Sequence, residues 1–193
     1  DLRRRLAAGE LSPDDFVYTV DADGQHELAV LEDLRQQMYD EGLDALLVQR
    51  DLSTYPRYKQ AGNWVMSTWA TIWSGGVELN DVESGYRIFR LGALADALDY
   101  YQGYKYSETV EVAVVLSRLG YKVRNDIVVP VPVFRARTSM TDVVIDLVAM
   151  PAAAFRVTMR RPKDVSVPSL VPPVLTSAAI GAAAIAPVAL GAG

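Results

Sequence analysis

Short runs of β-forming residues alternate along this chain with longer segments of helical periodicity. Strands are predicted at "FVYTV" (16–20) and "DALLVQR" (44–50), and an extended segment is predicted at 122–134. Helices are predicted at 27–39, 57–73, 91–99, 107–120 and 140–161, the last one with a proline inside. Strands that alternate with helices predict an α/β fold with a mostly parallel sheet flanked by helices.

The residue types present exclude several kinds of chemistry. The chain has no cysteine, which rules out disulfides, thiolate zinc sites and cysteine nucleophiles. His26 is the one histidine in the 193 residues, so a histidine metal cluster is excluded as well. Acid–base chemistry would therefore fall mainly to carboxylates.

Charge is distributed unevenly along the sequence. Residues 1–117 carry 10 basic and 20 acidic side chains, whereas residues 118–193 carry 9 basic and 4 acidic ones. An acidic body argues against a nucleic-acid partner, and a basic C-terminal part suits an anionic membrane surface. Charges scattered over a solvated surface are the alternative interpretation.

Two aspartates, Asp21 and Asp23, directly follow the first predicted strand. Side chains two residues apart in an extended segment point the same way, and open α/β sheets bind ligands beyond the carboxyl ends of their strands. Two carboxylates with the amide of Gln25 beside them suit a hard divalent cation, Mg²⁺ or Mn²⁺. Solvated turn residues or helix caps are the alternative for such a pair.

Four segments, in this order, resemble family 2 glycosyltransferases: "VDADGQH" at 20–26, "DVESGYRIFR" at 81–90, "SETVEVAVVLSRLGYKV" at 107–123 and "VPVPVFRARTS" at 129–139. They look most like the branch that moves a sugar from a nucleotide-sugar to a polyprenyl or dolichyl phosphate. The resemblance implies a nucleotide-diphospho-sugar transferase fold of the GT-A type. The first two βα units of the family pattern have no counterpart here, so we expect an N-terminally truncated domain from a longer protein.

The resemblance also assigns roles to individual residues. Asp21 and Asp23 match the metal-binding D-x-D pair, and Gln25 matches a further metal ligand. Asp81 matches a catalytic carboxylate beside the acceptor, with a turn-stabilising residue as its alternative. The residues matched to contacts with the diphosphate or the acceptor phosphate are Arg50, Arg57, Arg87, Arg135, Arg137 and Ser139.

The function implied by the resemblance is that of a metal-dependent glycosyltransferase at the cytoplasmic face of a membrane. The donor would be a nucleotide-diphospho-sugar, and the acceptor a lipid phosphate or a glycan. The metal ion would neutralise the diphosphate leaving group. A lipid-phosphate acceptor is already a nucleophile, so Asp81 would then orient it rather than deprotonate it. The alternative is a non-catalytic, membrane-associated module, or a fragment without activity of its own.

The C-terminal third has its own pattern. The helix predicted at 140–161 places Val143, Val144, Leu147 and Val148 on one side, with Asp142 and Asp146 on the other. Basic residues follow it, and residues 165–193 are uncharged, which allows either a weak membrane segment or an Ala/Pro/Gly tail. We therefore expect a partial catalytic domain at 1–139, an amphipathic juxtamembrane helix at 140–164 and an apolar tail at 165–193.

Overall fold

The computed structural model describes residues 2–21, 28–103, 107–130 and 140–160. The helices are α1 (Leu2–Ala7), α2 (Leu31–Asp40), α3 (Arg57–Ser74), α4 (Leu91–Leu98), α5 (Glu108–Leu119) and α6 (Met140–Arg160), and a short 3₁₀ turn at Leu28–Val30 precedes α2. The strands are β1 (Phe16–Thr19), β2 (Ala45–Leu47), β3 (Gln49–Arg50), β4 (Arg87–Arg90), β5 (Val123–Arg124) and β6 (Val128–Val129).

The main sheet is mixed and has the strand order β1-β4-β2-β5. Strand β4 lies between β1 and β2 and runs antiparallel to both, while β2 and β5 pair in parallel. Three of these four strands therefore share one direction. Strands β3 and β6 form a separate parallel pair.

The period-two alternation of strand side chains divides the apolar core into two clusters. Ala45, Leu47 and Phe89 face the larger cluster, which α3, α5 and α6 complete. Leu46 and Ile88 face the opposite side of the sheet and pack with residues of α2. Helices thus cover both faces of the sheet in the described part of the chain.

Glycines follow two of the helices, α3 and α5, which end within one residue of their predicted bounds. Gly75 follows α3 with φ of 87°, and Gly120 follows α5 with φ of 83°. Both values lie in the left-handed region, which glycine adopts without steric cost. Ser107 is the N-cap residue of α5, and its hydroxyl donates to Glu111 Oε1 at 2.6 Å rather than to a main-chain N–H group of the first turn.

The face of α6 that meets the protein differs from the predicted one. Val144 and Val148 are exposed, whereas Val143 and Leu147 are half-buried against the larger cluster. Asp146, expected on the polar side, is buried. The helix packs on α3 and α5, and small residues such as Ala149 and Ala153 allow that close approach. None of the helices within the described residues combines the length and the apolar character needed to cross a membrane.

Candidate functional site

Three segments meet at one edge of the main sheet. Strand β1 ends there, β2 ends there, and the loop 80–86 enters β4 there. The register places Arg87, the first residue of β4, opposite Thr19 of β1 on one side and Leu47 of β2 on the other. Residues that follow β1 and β2 and residues that precede β4 are therefore neighbours in space.

Asp21 reaches this edge from β1 and packs directly against Gly85. A Cβ atom at position 85 would overlap the carboxylate of Asp21. The Thr19 hydroxyl donates a hydrogen bond to the Gly85 carbonyl oxygen at 2.8 Å, which fixes the end of β1 on the loop. The absence of a side chain at Gly85 therefore leaves the space that the Asp21 carboxylate occupies.

Asp81 lies at the start of the same loop and binds Arg50 in a two-pronged ion pair. Arg50 Nε donates to Asp81 Oδ2 at 2.9 Å, and Arg50 Nη2 donates to Oδ1 at 2.6 Å. The main-chain N–H of Arg50 also donates to Oδ2, at 2.7 Å. Both carboxylate oxygens of Asp81 are thus engaged.

The surroundings of this pair hold it rigidly. Asp81 is 3 % exposed and has a left-handed φ of 50°, and its main-chain N–H donates to the Ser67 hydroxyl at 2.9 Å. Burial alone would lower the pKa of Arg50, but the Asp81 carboxylate outweighs it and holds that pKa above its usual value. A buried, bidentate pair of this kind orders the loop that carries it.

A buried asparagine connects the same loop to β2. The Asn125 side chain accepts a hydrogen bond from the main-chain N–H of Asn80, and its amide donates to the Leu47 carbonyl oxygen at 2.5 Å. The loop is therefore anchored at Asn80, Asp81 and Gly85.

Arg87 is enclosed by the protein. It is 3 % exposed, and its guanidinium donates to the carbonyl oxygens of Ser84 at 2.7 Å, of Val82 and of Thr109. Burial lowers the pKa of Arg87 to about 10. Arg87 therefore holds the loop in place and joins it to α5. Its positive charge also acts on the carboxylates of the site, although the side chain itself is buried.

The remaining predicted site residues are spread differently. Arg57 begins α3 and is exposed to solvent. Five of them lie outside the described residues: Asp23, Gln25, Arg135, Arg137 and Ser139. The structure thus brings Asp21, Arg50, Asp81 and Arg87 to one edge of the sheet, and the roles assigned to all ten remain predictions.

Sequence reasoning gave no site role to two further acids whose charges interact, Glu83 of the loop 80–86 and Asp146 of α6. Burial raises the pKa of Glu83, with the charge of Arg50 opposing the shift and that of Asp81 adding to it. Asp146 looked like a solvent-facing residue of an amphipathic helix. Its burial depends on how α6 packs on α3 and α5, which no local pattern reports.

A buried ion pair links α5 to α6. Glu111 lies in the first turn of α5, but it is fully buried and forms an ion pair with Arg156 of α6. Arg156 also donates to the Tyr100 carbonyl oxygen at 2.8 Å. This pair fastens α6 to α5 and to the segment before it.

The chemistry of Asp21 fits the predicted metal ion, since an accessible carboxylate at a strand end is a suitable ligand for a hard cation. No three histidine or carboxylate side chains among the described residues are arranged to hold a metal ion. The other two predicted ligands, Asp23 and Gln25, lie outside those residues.

Comparison of the chain with protein-family models, curated proteins and solved structures finds no match. The resemblance to family 2 glycosyltransferases therefore rests on the sequence motifs alone.

Proposed function

We propose that this protein is a metal-dependent glycosyltransferase that moves a sugar from a nucleotide-diphospho-sugar to an acceptor at a membrane surface. One observation carries the proposal most strongly: Asp21 from β1 and the Arg50–Asp81 pair meet at the edge where β1 and β2 end. Ligands of open α/β sheets bind at such edges. The ordered sequence motifs supply the reaction class.

Each of the four predicted site residues at this edge of the sheet has a role in the proposal. Asp21 contributes an oxygen ligand for the cation, which when bound neutralises the diphosphate. Arg50 presents a positive charge that is 19 % exposed, and Asp81 fixes its direction. Arg87 holds the loop 82–84 in place through hydrogen bonds to the carbonyl oxygens of Ser84 and Val82.

The membrane part of the proposal rests on the outer face of α6. Four apolar side chains point to solvent along this helix at intervals of four, seven and four residues: Val144, Val148, Phe155 and Met159. Intervals of this kind place side chains on one face of a helix. An apolar stripe followed by the basic residues Arg160, Arg161 and Lys163 suits an anionic bilayer surface.

The proposal is tested on the predicted metal ligands in the full-length protein. We expect Asp21→Ala and Asp23→Ala each to lower Mn²⁺-dependent sugar transfer by about 100-fold, because each removes a ligand of the cation that neutralises the diphosphate leaving group. Turnover of nucleotide-sugars and circular dichroism are measured together. Asp33→Ala, at an exposed acid of α2, is the matched control and should retain activity. Full Mn²⁺-dependent activity in both ligand variants would contradict the site assignment.

A further inference from the structure

The N-terminal half of α3 turns apolar side chains to solvent. Trp64 is 64 % exposed, and Tyr58, Ala61 and Val65 are exposed as well. Ala61 lies three residues from both Tyr58 and Trp64, and four residues from Val65. Residues at these intervals are neighbours on the surface of a helix. The four side chains therefore form one surface, which we call the outer face of α3.

The opposite side of α3 faces the core and the candidate site. Met66 and Ala70 belong to the larger apolar cluster. The Ser67 hydroxyl accepts the hydrogen bond from the main-chain N–H of Asp81 at 2.9 Å. The helix thus lies between its outer face and the Arg50–Asp81 pair.

The outer face of α3 adjoins the outward stripe of α6. The Trp69 indole N–H donates to the Leu147 carbonyl oxygen at 2.9 Å, which holds the two helices side by side. Val65 lies one turn before Trp69, while Val144 and Val148 lie on either side of Leu147 along α6. The two helices thus expose adjoining apolar side chains. A contiguous apolar patch of this kind marks a contact with another molecule.

The charges of α3 differ from those of the sequence around it. Residues 1–117 hold 20 acidic and 10 basic side chains, yet α3 contains no acid. Its two charged residues are Arg57 and Lys59, both in the first turn. The helix dipole makes this end positive, so the helix itself does not favour cations there. Their charge suits an anionic partner instead.

On the basis of the proposed function and its contact with a membrane, we propose that the outer face of α3 is a second membrane-contacting surface, which lies beside the stripe of α6 on an anionic bilayer. Tryptophan and tyrosine concentrate at the level of the lipid head groups, because each combines an apolar ring with a polar group. Trp64 and Tyr58 are the rings at that level, and Arg57 and Lys59 attract the lipid phosphates. Because both helices contribute to one contact, charge added to either of them releases the protein.

The composition of the outer face favours lipid over a protein partner. Helices that lie at a bilayer surface combine apolar and aromatic side chains with cations. The first half of α3 has this combination and no acid. Binding of a second protein copy is distinguished in the test below.

Trp64 provides the readout. The chain has three tryptophans, and the other two, Trp69 and Trp73, are half-buried against the larger cluster. The full-length protein is mixed with vesicles of phosphatidylcholine and phosphatidylglycerol that carry bromine on their acyl chains, which quenches tryptophan fluorescence on contact. We expect quenching in the wild type and its loss in Trp64→Phe, which keeps an aromatic ring. Adding Tyr39→Trp to that variant moves the indole to an exposed position on α2, where it should not be quenched.

Vesicle affinity is measured in parallel by co-sedimentation. We expect Arg57→Gln and Lys59→Gln each to weaken binding by about fivefold at low salt, because each removes one cation from an anionic surface. Trp64→Glu should weaken it by about tenfold or more, because it replaces an apolar ring with a repelled charge. Tyr39→Glu is the matched control and should bind like the wild type. Circular dichroism checks that each variant is folded.

The outcomes separate this inference from the proposed function. Vesicle binding without quenching of Trp64, or equal affinity of the wild type and Trp64→Glu, would overturn the contact through α3 and leave the proposed function standing. Absence of vesicle binding in the wild type would overturn the inference together with the membrane placement, whereas the Asp21 and Asp23 variants decide sugar transfer. A wild-type dimer that Trp64→Glu dissociates in sedimentation velocity would assign the outer face to a second copy and overturn the lipid contact.

Discussion

At the scale of single residues, the loop before β4 combines a strained position with a close contact. Asp81 has φ of 50°, in a region that costs a residue with a side chain about 1 kcal/mol. The ion pair with Arg50 and the hydrogen bond to Ser67 offset this cost. Strain that is held by its surroundings in this way is frequent at ligand-binding loops. The Asp21 carboxylate packs against Gly85, four residues further along the chain.

Gly85→Ala is the sharpest single-residue test of this contact. The added methyl group would overlap the Asp21 carboxylate, so we expect the carboxylate to move and Mn²⁺-dependent turnover to fall by about tenfold, in the range seen when the supports of metal ligands are changed. Calorimetric titration with Mn²⁺ checks the same change without an assay of transfer. Gly62→Ala in α3 is the control, because a Cβ there meets nothing within 4 Å. Unaltered Mn²⁺ affinity in Gly85→Ala would separate Asp21 from the metal site.

At the scale of elements, most helices follow from periodicity and from their glycine stops. Helices α3 and α5 end within one residue of their predicted bounds, and a glycine follows each of them. The direction of the strands could not be predicted from the sequence, because β4 lies antiparallel in the middle of the sheet and no local pattern reports the direction in which a strand pairs.

For the candidate site, the motif resemblance predicted from the sequence that Asp21 and Asp81 belong to one site. The Arg50–Asp81 pairing joins residues 31 positions apart in the chain. The burial of Asp146 depends on how α6 packs on α3 and α5.

The outward stripe of α6 leads to a prediction of its own. Phe155→Asp and Met159→Asp place charge on side chains that are 57 % and 67 % exposed, so the fold should be retained while the apolar contact with lipid is lost. We expect the full chain to float with anionic liposomes at low salt and the double variant to stay in the soluble fraction.

Tyr39→Asp is the matched control, since Tyr39 is 59 % exposed on α2, away from the stripe. If the wild-type chain does not float, or if the double variant floats equally well, α6 is not the membrane-contacting element.

At the scale of the whole molecule, the buried Asp146 makes stability depend on pH. Its pKa is raised from 3.8 to about 7 in the folded protein, so the folded state holds this proton more tightly than the unfolded chain. The contribution is fully present below about pH 4 and is lost as pH rises through about 7. A shift of this size corresponds to about 4 kcal/mol of unfolding free energy.

Asp146→Asn removes this ionisation while keeping the shape of the side chain. We expect the variant to be more stable than wild type at pH 8, with a difference of about 4 kcal/mol at most that disappears near pH 4. Urea unfolding between pH 4 and pH 8 measures the two curves. Parallel curves over that range would show that Asp146 stays ionised or gains a partner in solution.

The thickness of one helix has a geometric consequence for any substrate held at a bilayer. The stripe of α6 points outward while Asp146, on the same helix, points to the interior. An α-helix with its side chains is roughly 10 Å across, so that is the depth from the outer face of α6 to the carboxylate. The Glu111–Arg156 pair fastens α6 to the body of the protein, and this depth is therefore fixed rather than adjustable. Under the membrane placement proposed above, an acceptor held in lipid against this stripe would have to extend past the whole thickness of α6 to react on its inner side, which favours a long, flexible head group.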